Sequence, residues 1–294
     1  IKMIKLSSNE LSEICNRLGK SKIINIKKIF GGCINNSWGI EFTDSRFFLK
    51  KNTKDQRLLK FEQYCLNDLR KFIDFQKVIL PKVINYFEYE NNEYLLMEWL
   101  DLNNSNQKKL GAGIAELHLK SNQKNPKRFG YSVPGFIGTT YQYEGWENNW
   151  ADCFINLRIE PQLSLLKEKS INKDLINKVK SKIKLHLDEH EPMNSLIHGD
   201  LWYGNVGSGH FGKGVIFDPS CWWADSEIDI AMTRLFGGFK DEFYNEYYKL
   251  IKKKKYSSKR SIIYNFYHIL NHANMFGGSY LNEVDKYIKD ILDL

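Results

Sequence analysis

Apolar residues recur along the first third of the chain in two rhythms. Leu11, Ile14, Cys15 and Leu18 share one stripe of a helix, which Ser7 or Ser8 can cap and Gly19 ends. Alternation then takes over. Residues 23–30 read as a strand, 38–42 as a second with Trp38, Ile40 and Phe42 on one face, and 46–51 as a third after the turn Thr43-Asp44-Ser45. These strands make a small antiparallel sheet. Residues 55–72 return to helical spacing, with Phe61, Cys65, Leu66, Leu69 and Phe72 on the core side. Two more alternating runs, 83–89 and 94–100, flank the turn Asn91-Asn92. The polar run from Asp101 to Ser105 is the candidate hinge, so the chain is expected to divide into residues 1–100 and 101–294.

From Gln107 onward the pattern is mainly helical. Leu110, Ile114, Leu117 and His118 share a face. Trp146 and Trp150 open a helix through Phe154, Leu157, Arg158 and Leu163, and helices are expected over 172–190, 227–236, 241–251, 259–276 and 281–294. Two stretches interrupt them. Residues 128–145, rich in Gly, Tyr and Phe, read as a long loop. Residues 196–218 hold two short apolar strands, Leu196-Ile197 and Val215-Ile216-Phe217, with Asn205 and a turn at Gly207-Ser208-Gly209 between them. The expected class is α+β: a small antiparallel sheet with a helix, then a larger, mainly helical part.

The second interruption carries the densest chemistry. A carboxylate at the end of a buried strand stands on a rigid support. Asp200 follows the first strand, Asp218 the second, and Asn205 lies five positions beyond Asp200. Asn205 and Asp218 offer the hard oxygens that suit Mg²⁺. Asp200 is left to accept a proton from an attacking hydroxyl. Taken singly, each reads more readily as a turn residue. Their order and spacing are those of phosphoryl transfer. Gly199 stands where protein kinases carry arginine.

Earlier residues extend that reading. Lys50 ends the third strand and Glu62 lies on the following helix. A strand lysine held by a helix glutamate reaches the α- and β-phosphates in kinases; the alternatives are a snorkelling edge lysine and a solvated glutamate. Gly31-Gly32 lets backbone N–H groups nest around phosphates, and also fits a plain hairpin turn. Backbone groups near Glu98 and Leu100 would hold adenine, with Met97 closing the pocket behind it. Only residues 219–226 separate Asp218 from the next helix, too few to dock a peptide. The acceptor is therefore expected to be a small molecule, or a small group on a larger one.

Composition narrows the classes. The 294 residues are 42% hydrophobic and 14% aromatic, which excludes a disordered chain. A formal charge of +8 permits anionic partners, but the only dense lysine run, 252–255, reads as a solvated helix end, so no nucleic-acid partner is expected. The five cysteines, Cys15, Cys33, Cys65, Cys153 and Cys221, are odd in number and lack a C-x-x-C spacing. That points to a reduced, cytoplasmic protein without structural zinc. No run approaches the ~18 apolar residues of a membrane helix. Asp225 and Asp229 read as residues that cap and anchor the helix 227–236. His268 and His272, one turn apart without an H-E-x-x-H pattern, read as buried, hydrogen-bonded histidines. Cys33, among the loop glycines, is a candidate oxidisable thiol, with an inert loop thiol as the alternative.

The chain resembles the fructosamine/ketosamine-3-kinase family, relatives of the aminoglycoside phosphotransferases and choline kinases. The likeness lies in G-G-C-I at 31–34, F-L-K at 48–50, M-E-W-L at 97–100, H-G-D-L-W-Y-G-N-V at 198–206, residues 216–239 with L-F-G-G-F, and L-N-H-A-N-M-F-G-G-S-Y at 270–280. It implies a two-lobed, protein-kinase-like fold and ATP-dependent phosphorylation of the sugar 3-hydroxyl of a ketosamine, free or on a protein lysine. It carries Asp200 over as the base, Asn205 and Asp218 as Mg²⁺ ligands, Lys50 with Glu62 as the phosphate-orienting pair, and Gly31-Gly32 as the cover. Trp202 is placed to stack on the sugar; Trp146 fits either the acceptor side or the core. Trp222-Trp223 stand where relatives often carry smaller aromatics, and Ala224 where many carry glycine. An aminoglycoside, choline or amino sugar is the alternative acceptor, and a non-catalytic nucleotide binder the alternative class.

Overall fold

Helix α1 (Ser8–Leu18) forms as its ends dictate. The Ser7 hydroxyl accepts from the Glu10 amide, the Glu10 carboxylate accepts from the Ser7 amide, and Gly19 stops the helix in the left-handed region. The computed structural model describes residues 5–30, 36–54, 56–103, 107–166 and 172–294. Gly31, Gly32 and Cys33, the expected phosphate loop and its thiol, lie outside the described residues.

Strands β1 (Asn25–Ile29), β2 (Asn36–Glu41) and β3 (Arg46–Thr53) lead to helix α2 (Leu58–Arg70). After β4 (Val78–Ile79) come β5 (Val83–Tyr89) and β6 (Asn92–Glu98). The sheet is antiparallel in the order β1-β2-β3-β6-β5. Its two faces follow the alternation of side chains. Leu49, Tyr94 and Leu96 pack with Trp38, Ile40 and Ile14 of α1, while Leu95 and Met97 face α2 and join the main core. Lys50, one residue past Leu49, therefore points toward α2. Helix α2 starts at Leu58 rather than at 55, because Arg57 is left-handed (φ 51). The buried Glu93 carboxylate caps it from the sheet, accepting from the Leu59 and Lys60 amides at 2.9 and 3.2 Å.

Beyond α3 (Gln107–Asn122), the expected loop at 128–145 contains strands. They are β7 (Phe129–Tyr131), β8 (Gly135–Ile137), β9 (Thr140–Gln142) and β10 (Gly145–Glu147). Three residues each are too few for an alternation to show in sequence. Helices α4 (Trp150–Phe154) and α5 (Glu160–Leu165) flank a π-helical turn, Ile155–Ile159, and α6 (Lys173–Asp188) follows. Then come β11 (Asn194–Ile197), β12 (Val206–Ser208), β13 (Gly214–Ile216) and β14 (Trp222–Asp225), and helices α7 (Glu227–Leu235), α8 (Asp241–Leu250), α9 (Ser257–Phe276) and α10 (Ser279–Leu292). Gly207 and Ser208 belong to β12, so the turn expected at Gly207-Ser208-Gly209 falls later, before β13.

Two small sheets carry the interior of this half. One runs β10-β7-β14-β11; in the other, β13 pairs with β12 and, in parallel, with β4. β4 thus ties the first hundred residues to the second half. No helix among the described residues is long and apolar enough to cross a membrane.

Candidate active site

β11 delivers His198-Gly199-Asp200 and β13 delivers Phe217-Asp218, yet the two strands belong to different sheets. His198 joins their ends. Its fully buried ring accepts from the Asp200 amide at Nδ1 (3.3 Å) and donates from Nε2 to the Phe217 carbonyl (3.0 Å). Burial holds this imidazole below the ordinary histidine range, so it stays neutral. The Ser220 amide adds a bond to the His198 carbonyl at 2.8 Å, and the Phe217 amide one to the Asn205 carbonyl at 3.1 Å. Gly199 has φ +83, and a Cβ there would stand 2.0 Å from the Ser220 carbonyl oxygen. An arginine at this place has neither the room nor the backbone conformation.

Asn205 turns its amide nitrogen onto Asp200, donating to Oδ2 and to the main-chain oxygen, each at 3.0 Å. Its amide oxygen is the face left for a cation. Burial pushes the Asp200 carboxyl up to about 7, against the Asn205 hydrogen bond and with help from the charges of Asp218 and Asp229. A carboxylate poised near neutrality is suited to accept a proton.

Lys50 closes the other side. Its ammonium lies 2.7 and 2.8 Å from the two Glu62 oxygens and 2.5 Å from Asp218 Oδ1. Burial alone would lower its pKa, but Asp218 and Glu62 together hold it well above the ordinary lysine value. Glu62 shares that one cation with Asp218, and burial pushes its carboxyl up to about 7. Lys50 and Glu62 are almost fully buried, whereas the Asp218 side chain keeps 39% of its surface accessible. The open carboxylate is the one that stands beside Asp200 and Asn205.

A residue that sequence reasoning misjudged holds the loop in place. Asp229 does not cap α7; it points the other way. Its Oδ2 accepts from the His198 amide (2.8 Å) and His118 Nε2 (3.1 Å), and its Oδ1 from the Gly199 amide (2.9 Å). Asp225 does anchor α7, accepting from the Glu227 amide at 3.3 Å. His268 is buried as expected, but neither ring nitrogen has a hydrogen-bond partner, and burial drives its pKa down to about 3. His272 does bond, through Nδ1 to the His268 carbonyl at 2.8 Å.

The turn after α7 clasps the loop that follows Asp200. The Trp202 ring meets Phe236 at 6.1 Å and Tyr203 meets Phe239 at 6.5 Å. Gly238, at φ +90, lies under Tyr203, where a Cβ would come within 2.5 Å of the ring. Gly238→Ala is expected to cost about 1–2 kcal/mol from the backbone alone, read as a lower melting temperature, and to lower kcat by dislodging Tyr203. Wild-type melting and kcat in that variant would exclude this clasp. Met97 is buried at the end of β6. The Glu98 amide donates to the Lys82 carbonyl (2.9 Å), and Glu98 Oε1 accepts from the Lys82 amide (2.8 Å). Leu100 is half-buried. Trp146 sits on the edge strand β10 under Arg128, and no described contact joins it to Asp200 or Trp202.

Known proteins resemble this chain over most of its length. The fructosamine kinase family profile matches residues 4–294. A probable ketoamine kinase of Vibrio vulnificus is 39% identical over 266 residues, covering 89% of this chain and 90% of the relative. The ketosamine-3-kinase of Mus musculus is 30% identical over 277 residues, covering 85% and 89%. A crystal structure from Haemophilus somnus, assigned as a fructosamine-3-kinase, superposes with a TM-score of 0.85 at 28% identity over 96% of each chain. With the profile spanning nearly every residue, the chain belongs to the fructosamine kinase family.

Proposed function

We propose that this protein transfers the γ-phosphoryl group of ATP to the 3-hydroxyl of a ketosamine, free or on a protein lysine, and so reverses glycation. One observation carries the reading: Asp200, with a carboxyl held near neutrality, is hydrogen-bonded to the Asn205 amide and feels the charge of the Asp218 carboxylate that Lys50 reaches. Relatives named for ketosamine and ribulosamine phosphorylation support the acceptor. The aminoglycoside phosphotransferase and choline kinase structures that share the fold do so at 10% and 14% identity, a likeness of fold alone.

In this reading Asp200 Oδ accepts the proton of the sugar hydroxyl as that oxygen attacks in line. Lys50, kept protonated by Glu62, binds the phosphates. Asn205 Oδ1 and the accessible Asp218 carboxylate are hard oxygen donors, and that set fits Mg²⁺. When bound, Mg²⁺ supplies positive charge against the phosphate oxygens. Residues 1–100 then form the nucleotide lobe, with Gly31-Gly32 over the phosphates and the backbone near Glu98 and Leu100, beside Met97, against adenine. Residues 101–294 form the catalytic lobe, with Trp202 as the ring next to Asp200 on which the sugar stacks. Trp146, on β10 of the same half, is the second ring assigned to the acceptor side. The four described cysteines are free thiols, which supports a reducing compartment, the cytoplasm.

The test is mass spectrometry of fructosyl-lysine and ribulosyl-lysine compounds incubated with enzyme and Mg-ATP. The expected product carries one added phosphoryl group. Turnover of an aminoglycoside or choline in preference to both would replace the acceptor. The pH profile tests the base separately. kcat/KM should fall about tenfold per pH unit below a midpoint near 7, as Asp200 takes up its proton. A profile flat through that midpoint would remove Asp200 from proton transfer.

A further inference from the structure

We propose that the aromatic stripe running outward from Trp202, namely Phe236, Phe276 and Tyr280, recognises the protonated amine of the acceptor, and so selects amine-linked sugars over free ones. The inference rests on the ketosamine kinase reading and names what that site accepts. The stripe is continuous. Trp202 meets Phe236 at 6.1 Å, and Phe236 meets His272 at 4.8 Å. His272 meets Phe276 at 5.7 Å and Tyr280 at 5.1 Å, and those two rings stand 6.2 Å apart. It begins two residues after Asp200 and draws on three elements: the catalytic loop, the end of α7 and the junction of α9 with α10.

Two of its rings are open to solvent. Phe236 is 39% exposed and Phe276 52%. Underneath, the last turns of α9 are pinned by polar bonds. Asn274 Nδ2 donates to Gln162 Oε1 (2.7 Å) and to its carbonyl (2.9 Å), and Gln162 Nε2 donates to Asn271 (3.4 Å). The stripe is thus built before any ligand arrives, which lowers the cost of binding.

Charge decides what it takes. In a ketosamine the nitrogen is bonded to C1, next to the ketone carbon, and the reacting hydroxyl is on C3. With that hydroxyl at Asp200, the amine falls on an adjoining surface. Protonated, it needs a counter-charge or a π face. Among the described residues no carboxylate is paired with any ring of the stripe. Elsewhere in the molecule, aromatic faces are already claimed by the protein's own cations: Trp99 by Arg46, Trp146 by Arg128, Trp222 by Arg158. Among the described residues Phe236, Phe276 and Tyr280 have no such cation over them, whereas Trp202 already lies over Gly204 on one side. The exposed faces of Phe236 and Phe276 are left for a cation from outside. His272, which burial holds below the ordinary histidine range, adds no opposing charge. The lysine side chain of a glycated protein would run outward past Phe276.

The test compares a fructosyl-amine with its thioether isostere, in which sulfur replaces the nitrogen and removes the charge. Wild-type enzyme should favour the amine in kcat/KM. Phe236→Leu and Phe276→Leu keep bulk but lose the π face. Each should lower the amine-to-thioether ratio about 3- to 10-fold, with KM for the amine rising and KM for ATP unmoved. Thermal melting of both variants checks that the fold is intact. Equal losses on the two acceptors, or no preference in the wild type, would reduce the stripe to an apolar wall and overturn this inference alone. Turnover of neither acceptor would overturn the kinase reading with it.

Discussion

Asp200→Asn should cut turnover about 10²–10⁴-fold while leaving ATP binding nearly intact. The amide keeps the size of the carboxyl and can still accept from Asn205, but it cannot take a proton. Lys50, Glu62 and Asp218 keep their mutual bonds, so the nucleotide side is not disturbed. The same variant should gain stability. The Asp200 carboxyl is raised by burial from 3.8 to about 7, so ionising it weakens the folded state. A raised pKa gives stability that is complete below the unfolded value and is lost as pH rises through the folded one. Wild type and variant should therefore melt together below pH 4. They should separate as pH climbs toward 7, the variant leading by about 1–2 kcal/mol once solvent screening is allowed for. Activity retained in Asp200→Asn, or a variant less stable at pH 8, would remove the base from this position.

The sequence and the structure diverge where a residue's role depends on a distant partner. The five polar residues of the site were legible because each stands at a marked place: a strand end, a strand lysine, one turn into a helix. The N-terminal sheet was legible because its strands are five to eight residues long and alternate. Strands β7 to β10 are three residues each and exist through pairing, not propensity, so they read as loop. Asp229 was misread because its local surroundings, an acidic residue in the first turn of a helix, fit a cap. Its true partners lie 30, 31 and 111 residues earlier. His198 gave no signal of its own, since bridging two strand ends from different sheets is a tertiary fact. His268 shows the opposite limit: burial followed from its helix face, but whether a hydrogen bond would be waiting there did not.

Asp229→Ala should be the most damaging substitution away from the reacting atoms. It strips an acceptor from three buried donors at once: the His198 amide, the Gly199 amide and His118 Nε2. His118 also bonds Tyr247 through Nδ1 at 2.9 Å, so the loss runs from the catalytic loop through α3 to α8. An orphaned buried donor costs about 1–3 kcal/mol, and breaking a buried charged network about 3–5 kcal/mol. A loss in that upper range is expected in chemical denaturation. Burial would raise the Asp229 pKa, but His118 and the loop amides hold it below the ordinary aspartate value of 3.8. A depressed pKa means the stabilisation is complete above about pH 4 and fades as pH falls through the folded value. The deficit of the variant should therefore be largest near neutrality and shrink in acid. Asp229→Asn discriminates between bulk and hydrogen bonding. It fills the same space, yet one carbonyl oxygen cannot serve three donors, and its amide group would face the loop amides. If Asn restored full stability and kcat, shape alone would suffice and the carboxylate would not be what holds Gly199 in its left-handed turn. The expected result is partial stability with kcat still low, because Asp200 is only as well placed as the two amides before it.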